Sequence, residues 1–252
     1  VQPKLIICGM EHTGTTLVSD LFRQVPSLDS GFECGVLLRS SPDEFRSLAP
    51  FSQNMLKGWG ITKKQFDECC DAKTYDQFYS RLFSASTVLP EGTTHIFDKT
   101  PRYLSELSSV LGRTSAPVVV CYKDPRAIVC SDFKRAKTDN FFEWYGDYMP
   151  KKRNYMSSCY SEFIQNGEHE KFCSVGLEEL AMDARRAMER IFLHVGEEFK
   201  VEYAIMKDVR YKNTRNNTVS ADIAFEYAKV LKRDWIVEVE KDFASFSEWF
   251  YE

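Results

Sequence analysis

Hydrophobic positions in this chain fall into two spacings that take turns along it. Lys4 to Cys8 (KLIIC) is a short, partly β-branched run closed by Gly9, and Thr15 to Gln24 (TTLVSDLFRQ) then places Leu17, Leu21 and Phe22 on one side of a helix. The opening therefore predicts a strand, a tight loop and a helix. Pro26 ends that helix, and an extended piece from Leu28 to Phe32 leads to Glu33. Residues 40 to 92 are mostly polar and helical, broken at Pro42, Pro50, Gly58 and Gly60, and read as a helical insertion beside the site. His95 to Phe97 returns to extended spacing, and Pro101 stands where a helix ending near Gly112 would begin. Pro117 to Tyr122 (PVVVCY) is near-continuously apolar, as a central parallel strand should be, with the helix Arg126 to Ala136 behind Pro125. Phe172 to Val175 is a fifth strand, and Asp183 to Val195 an amphipathic helix stopped by Gly196. A polar stretch from Lys207 to Asn217 precedes a last predicted helix, Ala221 to Lys232. Strands alternating with helices, with no repeat and no linker, predict a parallel α/β sandwich in one domain over residues 1–252.

Composition narrows the function. The 252 residues carry 33 Lys+Arg against 37 Asp+Glu, a net charge of −4, which argues against a nucleic-acid partner needing a basic face. No run approaches the roughly 18 apolar residues of a membrane span. The eight cysteines form no CxxC pair and the four histidines lie far apart, so no metal site is expected. Cys8 and Cys121 sit inside predicted strands as reduced core thiols, which favours a cytoplasmic protein; a lumenal enzyme trimmed of its anchor would read the same. The chain enters a strand at once, so a leader is either absent or lies outside this sequence.

Three motifs carry chemistry. Gly9-Met10-Glu11-His12-Thr13-Gly14-Thr15-Thr16 joins the first strand to the first helix, where backbone N–H groups and the helix dipole make an anion site. A nucleotide triphosphatase loop reads GxxxxGK followed by Ser or Thr; Thr15 stands where that lysine belongs, which removes the most specific support for ATP or GTP hydrolysis. Lys123 follows the central strand, and Ser131 comes eight residues later on the next helix, so the two can face a second phosphate. Phe97 to Leu104 contains Lys99-Thr100-Pro101-Arg102-Tyr103.

In order and spacing these motifs resemble the sulfotransferases that use 3′-phosphoadenosine 5′-phosphosulfate (PAPS). In that family a Lys/Arg-Ser/Thr-Gly-Thr-Thr/Ser loop binds the 5′-phosphosulfate, matched here by His12-Thr13-Gly14-Thr15-Thr16. An arginine and a serine eight residues on bind the 3′-phosphate, matched by Lys123 and Ser131. The KTPRY string of many bacterial and carbohydrate sulfotransferases recurs at Lys99 to Tyr103, and Ser174 to Phe199 also looks like the family, so the resemblance spans about four fifths of the chain. Two positions depart from the pattern: His12 replaces the loop's Lys or Arg, and Lys123 replaces the arginine, keeping charge without the bidentate fork. Arg210, Lys212 and Arg215 lie where the family closes over the cofactor, and Arg215 is the one expected to add a contact.

The resemblance implies a P-loop-type three-layer sandwich that moves a sulfuryl group from PAPS to a hydroxyl or amine of a small-molecule or carbohydrate acceptor. PAP is released and no metal is required. Glu33 stands about where glycosaminoglycan-type and some bacterial members carry their catalytic glutamate, and is the expected general base. Cytosolic members use a histidine after the third strand, where this chain has only His95, before the strand. Lys99 and His12 are the expected catalytic cations, with Asp98 orienting Lys99. Phe51, Trp59, Phe66 and Tyr75 of the insertion, with Phe141, Trp144 and Tyr145, are expected to roof the acceptor pocket. The rival readings are a P-loop kinase of a nucleotide or small molecule and a catalytically inactive PAP-binding module. Neither acceptor nor oligomeric state is named by the sequence.

Overall fold

The computed structural model describes residues 2–207 and 220–251. Strand β1 (Ile6–Gly9) runs into the loop and then helix α1 (Thr15–Phe22), followed by a two-residue strand β2 (Leu28–Asp29). The insertion is helical as expected: α2 (Phe51–Trp59), α3 (Lys63–Cys70) and α4 (Tyr75–Ala85). Strands β3 (His95–Ile96) and β4 (Asp98–Lys99) come next, then a 3₁₀ turn (Pro101–Glu106) and α5 (Leu107–Arg113). β5 (Val118–Tyr122), α6 (Pro125–Ala136), α7 (Phe141–Asn166), β6 (Phe172–Gly176), α8 (Leu177–Met182) and α9 (Ala184–His194) complete the α/β core.

The main sheet has the order β4-β1-β5-β6 and every pairing in it is parallel. β2 and β3 form a separate parallel pair. The two pieces meet along one extended segment. The Lys4 amide donates to Ile96 O and the Asp98 amide to Leu5 O on one side, while the Phe97 amide donates to Asp29 O on the other. This places Glu33, just beyond β2, on the same edge of the sheet as Lys99.

Alternation along the strands divides the interior into two cores. Ile6, Cys8, Val118 and Val120 face the insertion, α5, α6 and α7. Leu5, Ile7, Val119, Cys121 and Val175 face α1, α8 and α9. With apolar residues on both faces, β5 reads as an uninterrupted hydrophobic run, which is why it was the clearest strand in the sequence. All eight cysteines are free and buried. No described helix is long and apolar enough to cross a membrane.

Several elements differ from the sequence reading, and the helix expected from Pro101 begins as the 3₁₀ turn, with α5 starting only at Leu107. The 26-residue α7 keeps Pro150 in its interior, where a proline ordinarily breaks a helix, and it was not predicted. The helix expected over Ala221 to Lys232 is two single turns, α10 (Ala221–Ala224) and α11 (Tyr227–Val230). The long C-terminal helical segment is instead α12 (Arg233–Tyr251), two helices that meet at a kink at Phe243.

Candidate functional site

The parallel strands bring three loops to their carboxyl ends, where open α/β sheets hold ligands. The first is Gly9 to Thr15. Gly9 approaches β5 so closely that a Cβ there would meet Cys121 O at 2.5 Å and Thr13 Oγ1 at 2.6 Å. Thr13 folds the loop back, its hydroxyl donating to Met10 O at 2.7 Å. Gly14 opens α1 with φ 93°, and no side chain caps the helix. The first-turn N–H groups of α1 are therefore free to bind an anion. His12 also has positive φ, 72°, an uncommon conformation for a residue with a Cβ. Its Nε2 faces Asp132 Oδ1 at 2.9 Å, and the Arg135 guanidinium lies against the ring.

The second loop links the two residues expected to do chemistry. Lys99 Nζ donates to Glu33 Oε1 at 2.8 Å. Lys99 is 7% exposed and Glu33 24%, so the lysine is held inside and the carboxylate reaches water. Lys99 pairs in register with Ile7 on β1, two residues before the loop's first glycine. The Glu33 segment is clamped from two directions. Trp59 Nε1 donates to Phe32 O at 2.7 Å and the Phe32 amide to Gly58 O at 3.0 Å. On the other side the Gly35 amide donates to Thr100 Oγ1 at 3.1 Å, which donates to Asp98 Oδ1 at 2.8 Å.

Asp98 does not orient Lys99. Neighbours on a strand point to opposite faces, and the Asp98 carboxylate, 0% exposed, accepts the hydroxyls of Tyr79 and Tyr103 at 2.7 Å each besides Thr100. Tyr103 Oη also accepts the Leu37 amide at 3.3 Å. Asp98 is thus the hub that ties the Glu33 segment to the Thr100–Tyr103 turn. Burial pushes its carboxyl above the usual aspartate value, against those hydrogen bonds.

The third loop follows β5. Lys123 is 3% exposed, and its Nζ donates to Ser131 Oγ at 3.3 Å, so the pair predicted from an eight-residue spacing does meet. Burial lowers the Lys123 pKa, with Glu178 the largest opposing charge. Asp124 caps α6 by accepting the Arg126 amide at 2.8 Å, and its own amide donates to Glu178 Oε1 at 3.0 Å. Glu178 Oε2 is buried with no hydrogen-bond partner among the described residues. Arg215, with Arg210 and Lys212, lies outside the described residues.

The expected roof is not where the sequence reading put it. Phe51, Trp59 and Phe66 are buried in the core, and Tyr75 donates its hydroxyl to Arg39 O, so the insertion braces the Glu33 segment instead. Phe141 and Tyr145 are buried too. A cavity of about 460 Å³ lies beside the anion loop, lined by Glu11, Arg102 and six residues of α7 that include Trp144, Tyr148, Lys152 and Tyr155. Of the six α7 residues that line it, the sequence reading singled out only Trp144, its other two α7 aromatics, Phe141 and Tyr145, being buried away from the cavity. The three- and four-residue spacing of the six was the available signal, masked by Pro150. Asp132 and Arg135 were missed as well, although they follow Ser131 on one face of the same helix.

A sequence profile described as the sulfotransferase family matches residues 3–201. The chain belongs to the sulfotransferase family. A search of the curated proteins by sequence finds no significant match. Among solved structures, this sulfotransferase is similar to the sulfotransferase domain of the Synechococcus PCC 7002 olefin synthase, at TM-score 0.64 and 18% identity, covering 96% of this chain and 94% of that one. The sulfotransferase domain of the curacin biosynthetic pathway gives 0.60 at 14% identity, with 98% of each chain covered. A mouse sulfotransferase complexed with PAP gives 0.59 at 10% identity, with 97% and 84% covered. At these identities the likeness shows a shared fold.

Proposed function

We propose that this sulfotransferase uses PAPS as donor and moves its sulfuryl group to a hydroxyl or amine of a small-molecule or carbohydrate acceptor. The observation that carries the reading is the Lys99–Glu33 pair at 2.8 Å, on the sheet edge that also holds the uncapped N-terminus of α1. The donor set fits an adenosine bisphosphate. Backbone N–H groups and hydroxyls from His12, Thr13, Gly14, Thr15 and Thr16 suit the 5′ group, with the cradle kept open by Gly9 and Gly14. Lys123 and Ser131 suit the 3′-phosphate. The PAP held by the mouse structure of the same fold supports this assignment.

PAPS supplies an activated sulfuryl group on a good leaving phosphate. Glu33, the more exposed partner of the pair, takes the proton from the acceptor's hydroxyl or amine. Lys99, held inside by strand pairing, presents a fixed ammonium to the negative charge that builds around the transferring group. Asp98 keeps the Glu33 segment in register with Lys99 through Thr100 and Gly35. The cavity between α7 and Arg102 is the acceptor's place in this reading. A kinase reading finds no support at Thr15, and the intact Glu33–Lys99 pair argues against an inactive module.

The test is PAP release from PAPS across a panel of phenols, aliphatic alcohols, sugars and amines. Acceptor-dependent PAP formation without added metal is expected. A panel on which PAPS is never consumed, by a protein that also fails to bind PAP, would overturn the reading.

A further inference from the structure

One guanidinium sits where the parts that position the site meet. Arg23 closes α1, the helix whose first turn borders the anion loop, and its side chain is 5% exposed. On α1 itself, Nη1 donates to Asp20 Oδ1 at 2.8 Å and to Ser19 Oγ at 3.0 Å. Toward β2, Nε donates to Asp29 Oδ1 at 2.9 Å, and Nη2 to Ser30 O at 3.2 Å and Gly31 O at 3.5 Å. The guanidinium carbon also lies 5.4 Å from the centre of the Phe97 ring, two residues before Lys99. Both carboxylates are buried.

A planar fork with five N–H donors serves several directions at once in fixed geometry, which a point-charge ammonium does not. Here the directions are α1, the chain leading to Glu33 and the chain leading to Lys99. Asp29 joins the last two, since its Oδ1 accepts the Ser30 amide at 2.6 Å and its carbonyl accepts the Phe97 amide at 3.2 Å. Lys99 is referenced to the anion loop by its strand's register with β1. Glu33 instead follows a two-residue strand outside the main sheet, and Arg23 supplies a side-chain link from that strand to α1. Beyond the fork the segment has no slack. A Cβ at Gly31 would run into the Trp59 ring and Gly58 O, and Phe32 is hydrogen-bonded to the same two residues. A shift at the fork therefore reaches Glu33 through braced backbone.

We propose that Arg23 is a positioning residue for the reaction: by tying residues 29–31 and Phe97 to α1, it sets the Glu33 carboxylate against the group held at the anion loop. It acts through Glu33 and not on the substrate. A base misplaced by about 1 Å forfeits up to roughly 100-fold in rate, so a small movement suffices. The proposal rests on the reading of Glu33 as the general base.

Arg23→Lys keeps a cation beside Asp20 and Asp29 and removes the fork. In the full chain its turnover at saturating PAPS and acceptor should fall about tenfold or more, while calorimetric PAP affinity stays within about threefold. A double-variant cycle separates positioning from mere support of the fold. In the Glu33→Gln background the same change should cost less than about twofold, because a residue that acts through Glu33 has no base left to place. Equal losses in both backgrounds, or unchanged turnover in Arg23→Lys, overturn the proposal alone. Turnover of Glu33→Gln equal to wild type sinks the base assignment and the proposal with it. Should Arg23→Lys not fold, Asp29→Asn weakens the link from the β2 end while Arg23 keeps Asp20, and the same cycle is run with it. Native-state amide exchange at Phe32, read against the amides of β5, should quicken in either variant whether or not turnover is measurable, and unchanged exchange also overturns the proposal.

Discussion

Replacing Glu33 by glutamine separates chemistry from architecture at this site. Gln Oε1 can still accept the bond from Lys99 Nζ that spans 2.8 Å, and the clamps at Phe32 and Gly35 use backbone atoms that the change leaves alone. What disappears is the carboxylate. Two unit charges at that distance attract by about 6 kcal/mol at an effective dielectric near 20, most of it offset by the cost of holding Lys99 out of water. Because Glu33 is 24% exposed and water screens it, the expected loss of folding stability is about 1–3 kcal/mol, below the roughly 3–5 kcal/mol of breaking a fully buried pair. The loss of a general base should cut turnover by about two to four orders of magnitude, or roughly 3–5 kcal/mol in the barrier. The assay is steady-state turnover at saturating PAPS beside calorimetric PAP affinity, both well below the melting temperature. Turnover should collapse while PAP affinity stays within about threefold. Activity equal to wild type would refute Glu33 as the base, and a parallel loss of PAP affinity would refute the claim that the backbone clamps alone shape the site.

Other expectations follow from the same contacts. Lys123→Ala should weaken PAP by about 10- to 100-fold, since a buried ammonium is lost from a phosphate, and leave adenosine 5′-monophosphate nearly unchanged by calorimetry. Tyr103→Phe removes a donor to Asp98 and strands the Leu37 amide, so urea unfolding should show about 2–4 kcal/mol of destabilisation. The raised Asp98 carboxyl means the native state keeps a proton that the unfolded chain gives up near pH 3.9, so this group's stabilisation is full below about that value and fades as pH rises through the folded pKa. Stability measured against Asp98→Asn should accordingly shift toward the wild type as pH falls from about 7 to 4, and a flat or opposite trend would contradict the burial argument.

The parts of this site legible in the sequence are those set by short-range geometry. A strand, Gly9 and Gly14 around a loop, and a helix follow from local spacing, and Lys123 with Ser131 from the pitch of α6. Glu33 and Lys99 were each named from family position, yet their meeting across 66 residues depends on β2 pairing with β3, which no local pattern encodes. Asp98 was misread because adjacency in sequence suggested contact, whereas strand alternation turns its carboxylate to Tyr79 on the insertion. The insertion's aromatic residues looked like a pocket lining because burial in a core and burial under a ligand select the same side chains. Only the packing of α2 under Phe32 tells the two apart. Pro150 hid α7, and with it the residues beside the loop.

Which nucleotide the site accepts separates a sulfuryl-transfer site from a kinase site. Calorimetric titration of one protein sample with PAP, and separately with ATP and Mg²⁺, decides it. Micromolar PAP binding with no measurable ATP heat is the predicted result, because Thr15 replaces the triphosphatase lysine and Lys123 with Ser131 awaits a 3′-phosphate. A preference for ATP would contradict the account.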